Sequence, residues 1–130
     1  MTLSRRTLTL TLAGIVLTSA SGLAIAQDAA KPRVKFTTNM GEFVVELEPA
    51  KAPKTVENFL QYVADKHYEG TVFHRVIDGF MIQGGGFTAD MQQKTNRAPI
   101  ALEAKNGLKN DRYTIAMART GNPNSATSQF

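Results

Sequence analysis

A mainly β domain, a barrel or sandwich of antiparallel strands with one helix packed on it, follows from three observations. Two neighbouring segments, "RVKFTT" and "EFVVELE", alternate apolar and polar residues and flank the turn "NMGE". One stretch alone, "APKTVENFLQYVADK", switches to a helical period. Further short apolar runs, "TVFHRVI", "FMIQ" and "YTIAMA", are separated by turn signals and loops. Strands outnumber helices and are joined by tight turns, the pattern of an all-β layer or barrel.

The first strand pair places Val34 and Phe36 on one face opposite Phe43, Val45 and Leu47, a hairpin with one side buried. Glu48-Pro49 ends it. In the helical stretch, Val56, Phe59, Leu60 and Val63 fall at i, i+3, i+4 and i+7, one apolar stripe. Pro53 suits a first helical turn, so a helix of about three turns is expected to begin there and to end near Tyr68-Glu69-Gly70. The strand Thr71–Ile77 and a partner around Met81–Gln83 form a second hairpin. Residues 87–112 are polar, without sustained period, and carry turn signals at Asn106-Gly107 and Asn110-Asp111. A connection of that length is functional or packed onto the domain. Residues 113–118 are expected to form a fifth strand. Residues 119–129 form a second loop, and the expected sheet leaves an unpaired edge at Ser128-Gln129-Phe130.

The amino terminus reads differently. Arg5 and Arg6 precede an apolar run from about Leu8 to Leu17, and Ala24-Ile25-Ala26 supplies a small-x-small pattern. That is the layout of a cleavable secretory signal over residues 1–26, with 27–32 as a short linker and 33–130 as the domain. Thr9, Thr11, Thr18, Ser19 and Ser21 dilute the run, against a membrane anchor of ~20 predominantly apolar residues. The paired arginines also resemble a twin-arginine signal, and both export routes stay open. A periplasmic or secreted location is expected, with no stable membrane association after cleavage.

The 15 basic and 11 acidic residues give a net charge of +4. Without Arg5 and Arg6, the basic residues number 13 and the net charge falls to +2. Charges of both signs are interspersed and no arginine-aromatic stripe appears, which argues against nucleic acid as a partner. The absence of cysteine excludes disulfides and thiolate sites. Two histidines, His67 and His74, without acids at ligand spacing make a structural metal unexpected.

The chemistry concentrates in "FHRVIDGFMIQGGGF", residues 73–87. An arginine and a glutamine interrupt an otherwise apolar hairpin, and their relation depends on register. A two-residue Asp78-Gly79 turn sets Arg75 opposite Ile82. A three-residue loop, Asp78-Gly79-Phe80 with left-handed glycine, sets Arg75 opposite Gln83 and Ile77 opposite Met81. One slip exchanges every side chain between faces. The second register is preferred, because it gathers Arg75, Met81 and Gln83 on one face with Phe80 leaning from the loop. His74 falls on the other face with Val72 and Val76 and is read as a satisfied core histidine. Gly84–Gly86 lack the lysine and helix of a phosphate-binding loop, so they are read as places of close approach.

Residues 73–87 closely resemble the central signature of the cyclophilins, the cyclosporin-binding class of peptidyl-prolyl cis-trans isomerases. "KTVENF" at 54–59, "IAMAR" at 115–119 and "SQF" at 128–130 are similar to further family segments in the same order. The resemblance runs from about Val34 to Phe130. It implies a closed antiparallel β-barrel capped by helices, of which about five strands and the first helix are encoded here. Asp78 stands where many members have proline, and Arg119 where many eukaryotic members have asparagine. The family also continues past "SQF" with further strands, a second helix and more pocket residues. This segment alone is therefore expected to be poorly soluble or inactive.

The resemblance implies an enzyme without cofactor or metal that isomerises X-Pro bonds in proline-containing peptides and unfolded exported proteins, acting as a monomer. Arg75 and Gln83 are its catalytic candidates. Phe80 and Met81 would hold the proline ring, and Ala118 and Arg119 would contact the residues before it. A rival is a proline-peptide-binding chaperone or adaptor that grips without catalysis; another is a purely structural β domain, in which Arg75 only snorkels along a strand.

Overall fold

The computed structural model describes residues 31–130, so the expected signal segment and most of the linker lie outside the described residues. The element order is β1 (Arg33–Thr38), β2 (Gly41–Glu46), α1 (Pro53–Ala64), β3 (Arg75–Ile77) and β4 (Met81–Gln83). β1 pairs antiparallel with β2 and β3 with β4, as two separate hairpins. Two hairpins and one helix are consistent with part of the expected barrel; the fifth strand expected at residues 113–118 does not form. That segment forms no ladder: Tyr113 sits in a turn with φ 66° and is 97% exposed, and Ile115 is 38% exposed.

The first hairpin forms where the alternation predicts it. Val34 faces Val45 and Phe36 faces Phe43, whose rings stack at 4.7 Å. Outward-facing charges pair across the strands: Arg33 Nη2 reaches Glu46 Oε2 at 2.7 Å, and Lys35 Nζ reaches Glu42 Oε1 at 3.1 Å.

α1 begins at Pro53, where a missing amide hydrogen costs nothing. Its cap residue Ala52 offers no side-chain acceptor. Glu103, from the long loop, supplies one instead: Oε1 accepts the Lys54 amide at 3.1 Å and Oε2 the Thr55 amide at 2.8 Å. The helix stops at Ala64, several residues before the end expected from its sequence. Lys66 adopts a left-handed φ of 56°, and the His67 amide folds back to the Tyr62 carbonyl at 3.0 Å. That turn buries His67 against the ring of Tyr62, with centroids 4.6 Å apart.

The expected stripe is the buried one: Val56 and Phe59 join Leu47 in the core, with Val34, Phe36, Val45, Leu60, Val63, Tyr68 and Phe130 packed around them. The helix also buries Asn58 and Tyr62, outside that stripe. Both serve polar anchoring. Asn58 Nδ2 donates to the Thr127 carbonyl at 2.7 Å, and the Tyr62 hydroxyl accepts the Arg97 amide at 2.7 Å. The long loop is thereby packed onto the domain, as its length implied.

The carboxyl-terminal residues differ from expectation. Phe130 is not on a bare edge: it exchanges backbone hydrogen bonds with Gly84 at 2.9 and 3.2 Å. Its ring lies 5.5 Å from Phe36, 5.4 Å from Tyr68 and 6.2 Å from Phe73, tying both hairpins to the helix side.

Candidate active site

The β3–β4 hairpin takes the register that gathers the candidates. Arg75 is opposite Gln83, Val76 opposite Ile82 and Ile77 opposite Met81. The loop Asp78-Gly79-Phe80 closes it, with Gly79 at φ 70° and the Phe80 amide bonded to the Ile77 carbonyl at 3.1 Å. Glycine at that position relieves the steric cost of a left-handed residue.

On the shared face, Arg75 Nη1 donates to Gln83 Oε1 at 3.3 Å. Gln83 Nε2 in turn donates to Gln129 Oε1 at 2.8 Å. A guanidinium and two carboxamides thus form one donor–acceptor chain, and with Oε1 occupied by the guanidinium, the Gln83 amide group is aimed at Gln129. Gln129 was not singled out from the sequence. Its signal is indirect: Gly86 has no Cβ, and one built there would lie 2.5 Å from Gln129 Cγ. The triple glycine therefore makes room for that side chain, and Gly85 for the rings of Phe130 and Tyr68, at 2.7 and 2.9 Å from an added Cβ.

Ala118 joins the same neighbourhood, its amide donating to the Gln129 carbonyl at 2.9 Å. Arg119 follows it, exposed, with Nη1 on the Thr120 carbonyl at 2.9 Å. Phe80 stands 78% exposed at the hairpin tip, while Met81 is half-buried beside it. The wall carrying Arg75 and Gln83 is open rather than a closed dry hollow, since no described side chain covers the Phe80 ring. Two hollows lie elsewhere on the described residues. A polar one of about 530 Å³ runs between the end of α1 and residues 93–97, and an apolar one of about 480 Å³ lies beside Pro32, Pro49, Pro53, Val56 and Leu60.

The two histidines differ from each other. His67 Nε2 sits 3.2 Å from the Gly85 carbonyl, which fixes a proton on that nitrogen. Burial pushes its pKa below the usual imidazole value; the nearby Lys94 cation adds to this, while the Gly85 bond and Asp65 oppose it. His74 is not the satisfied core histidine expected. Its Nδ1 is buried without a partner, because the ring packs against Phe87, centroids 4.6 Å apart, where only carbon is offered. Burial also drives the Tyr68 hydroxyl well above the ordinary phenol range, with Tyr62 as a smaller contributor, and it donates to the Ser128 carbonyl at 3.0 Å.

Comparison with known proteins identifies the family. Residues 33–130 match the family described as cyclophilin type peptidyl-prolyl cis-trans isomerase/CLD. The chain is 66% identical over 97 residues to the peptidyl-prolyl cis-trans isomerase cyp18 of Streptomyces antibioticus, covering 75% of this chain and 58% of that protein. It is 58% identical over 97 residues to peptidyl-prolyl cis-trans isomerase B of Escherichia coli K12, covering 75% of this chain and 59% of that protein. The cyclophilin type isomerase of Cryptosporidium parvum, solved in the presence of the dipeptide Ala-Pro, superposes with a TM-score of 0.62 at 33% identity, covering 75% of this chain and 65% of that one. The chain thus spans a little under three fifths of the length of the curated relatives it matches. With its register, its glycine-made space and its family signature in agreement, the chain belongs to the cyclophilin-type peptidyl-prolyl cis-trans isomerase family.

Proposed function

We propose that this protein is a peptidyl-prolyl cis-trans isomerase, with Arg75 as the group that lowers the barrier. The observation that carries the reading is the Arg75–Gln83–Gln129 chain on one open wall. An X-Pro amide resists rotation because the nitrogen lone pair is shared with the carbonyl, a barrier of ~18–20 kcal/mol. Uncatalysed exchange takes tens to hundreds of seconds. Reaching milliseconds requires about four to five powers of ten, or ~5.5–7 kcal/mol.

No bond to the enzyme is needed. As the amide twists, nitrogen becomes pyramidal and its lone pair is free to accept a hydrogen bond. A guanidinium near that atom binds the twisted state more tightly than either planar isomer, which is the condition for acceleration. Charge-assisted donors of this kind contribute a few kcal/mol each. Arg75 already meets a neutral partner in Gln83, so it is oriented without being neutralised. Gln83 and Gln129 would bond the peptide backbone, Met81 and Phe80 would hold the proline ring, and Ala118 and Arg119 would contact the residues before it.

The setting proposed for this activity is the folding of exported proteins in the periplasm or outside the cell. That rests on the signal-like pattern of residues 1–26. Fusion of residues 1–30 to a reporter, followed by cell fractionation, tests it: export supports the setting and cytoplasmic retention removes it.

The rival is a module that grips proline peptides without turning them over. NMR exchange spectroscopy on an X-Pro peptide with the full-length protein separates the two. Cross-peaks between cis and trans resonances at millisecond mixing support catalysis. Shift changes without exchange would leave binding alone.

A further inference from the structure

Residues 126–130 belong to none of the described strands. Each of their carbonyls nevertheless has a donor, and each donor comes from a different part of the chain. Ala126 accepts the Ile100 amide at 3.0 Å, Gln129 the Ala118 amide at 2.9 Å and Phe130 the Gly84 amide at 2.9 Å. The carbonyls of Thr127 and Ser128, between them, are met by side chains. Asn58 Nδ2 on α1 donates to Thr127 at 2.7 Å, and the Tyr68 hydroxyl donates to Ser128 at 3.0 Å.

Three successive side chains of this segment have three different surroundings. Ser128 is fully buried, with its hydroxyl donating to Asn96 Oδ1 at 2.8 Å. Gln129 accepts from Gln83 Nε2 at 2.8 Å. The Phe130 ring packs against the core. A slip of one residue would set serine or phenylalanine where Gln129 now stands. Within a sheet the ladder would forbid that slip; here the separate donors do.

We infer that Tyr68 and Asn58 are positioning residues: by fixing the register of Thr127 and Ser128 they place Gln129 against Gln83, and so hold the wall that carries Arg75. Their own bonds go to backbone carbonyls, not to Arg75 or Gln83. The inference rests on the isomerase reading above and adds to it how the wall is held. Tyr62 supplies the contrast. Its hydroxyl is also buried in a hydrogen bond, but it accepts the Arg97 amide at 2.7 Å, on the long loop.

Tyr68→Phe removes one donor and keeps the ring, so it is the cleanest variant; Asn58→Leu carries the same expectation through the other donor. In the full-length protein, kcat/KM for one X-Pro peptide and the side-chain amide resonances of Gln83 and Gln129 are followed by NMR. The variants are Tyr68→Phe, Asn58→Leu, Tyr62→Phe, Gln129→Ala and Tyr68→Phe combined with Gln129→Ala, with circular dichroism reporting the fold. Tyr68→Phe is expected to lower kcat/KM about 3- to 10-fold, the worth of one hydrogen bond, and to shift both amide resonances. Tyr62→Phe should do neither. In the Gln129→Ala background, Tyr68→Phe should change kcat/KM by less than about twofold, because two residues acting through one contact are not additive. An equal loss with and without Gln129, or a loss as large in Tyr62→Phe, would show a general structural role and overturn the inference. Unchanged resonances and rates in Tyr68→Phe would also overturn it, with the isomerase reading intact. Shifted resonances in a wild-type protein that shows no turnover would uphold the positioning and remove the catalysis.

Discussion

Gly85 and Gly86 are adjacent and are expected to fail in opposite ways. Gly85 has φ 82°, and an added Cβ would meet the rings of Phe130 and Tyr68 at 2.7 and 2.9 Å. Rings held in the core do not yield, so Gly85→Ala should destabilise the protein by about 1–3 kcal/mol in chemical denaturation. At Gly86, the obstructing atoms belong to the Gln129 side chain, at 2.5–2.7 Å, which can rotate away. Gly86→Ala should therefore cost less stability than Gly85→Ala while misplacing Gln129 and lowering kcat/KM at least about tenfold. Equal stability losses with normal activity in Gly86→Ala would reject the role given to Gln129.

His67 adds a pH dependence at the same place. Its folded pKa is depressed by burial below the ordinary imidazole value, so the unfolded chain binds the proton more readily. The corresponding stability is fully present above about pH 6.5 and is lost as pH falls through the folded value. The melting midpoint should drop over that interval, and His67→Gln should flatten the slope there. At this scale the sequence was partly legible. Arg75 and Gln83 stood out as polar residues in an apolar hairpin. Gln129 did not, since it lies 46 residues from Gln83 and only folding brings the two to 2.8 Å. His74 was misjudged because periodicity assigns a face and says nothing about whether a nitrogen there finds a partner.

At the scale of elements, the clearest dependence is that of α1 on a distant carboxylate. Glu103 does for the Lys54 and Thr55 amides what a local serine or aspartate does at most helix starts. Partial burial pushes its pKa up, but the hydrogen bonds from Thr55 and Lys54 outweigh this and hold it below the usual carboxylate range. Its contribution is therefore present above the unfolded pKa and disappears as pH falls through the folded one. Glu103→Ala is expected to cost about 0.5–2 kcal/mol at neutral pH, read as a shift in the denaturation midpoint, and little in strong acid. An equal loss at both pH values would mean that the carboxylate is not the cap. Local pattern settled the hairpins and the start of the helix, where alternation, Pro53 and Asp78-Gly79 each act within a few residues. It overran the end of α1, because Lys66 carries no sign in its side chain of the left-handed turn that buries His67. It also over-read residues 113–118, where a β-prone composition is not enough without a neighbouring strand.

At the scale of the whole molecule, two-stranded hairpins leave backbone edges open, and apolar side chains lie beside them. Val44 is 59%, Val76 66% and Ile82 53% exposed. Val76 and Ile82 face one another across β3 and β4, forming a flat apolar patch of the kind that pairs edge to edge. The chain should therefore self-associate at about ten micromolar and above, seen by light scattering. The pair Val76→Lys with Ile82→Glu should reduce that association. An unchanged scattering profile would show that this patch is not the contact.

The account as a whole turns on Arg75 acting on a twisted amide. Its most direct test is the catalysed cis–trans exchange rate of one X-Pro peptide, measured by NMR for the full-length protein and for Arg75→Ala at matched occupancy. The account predicts a fall of at least about a hundredfold with an unchanged circular dichroism spectrum. Exchange close to the wild-type rate in Arg75→Ala would contradict it.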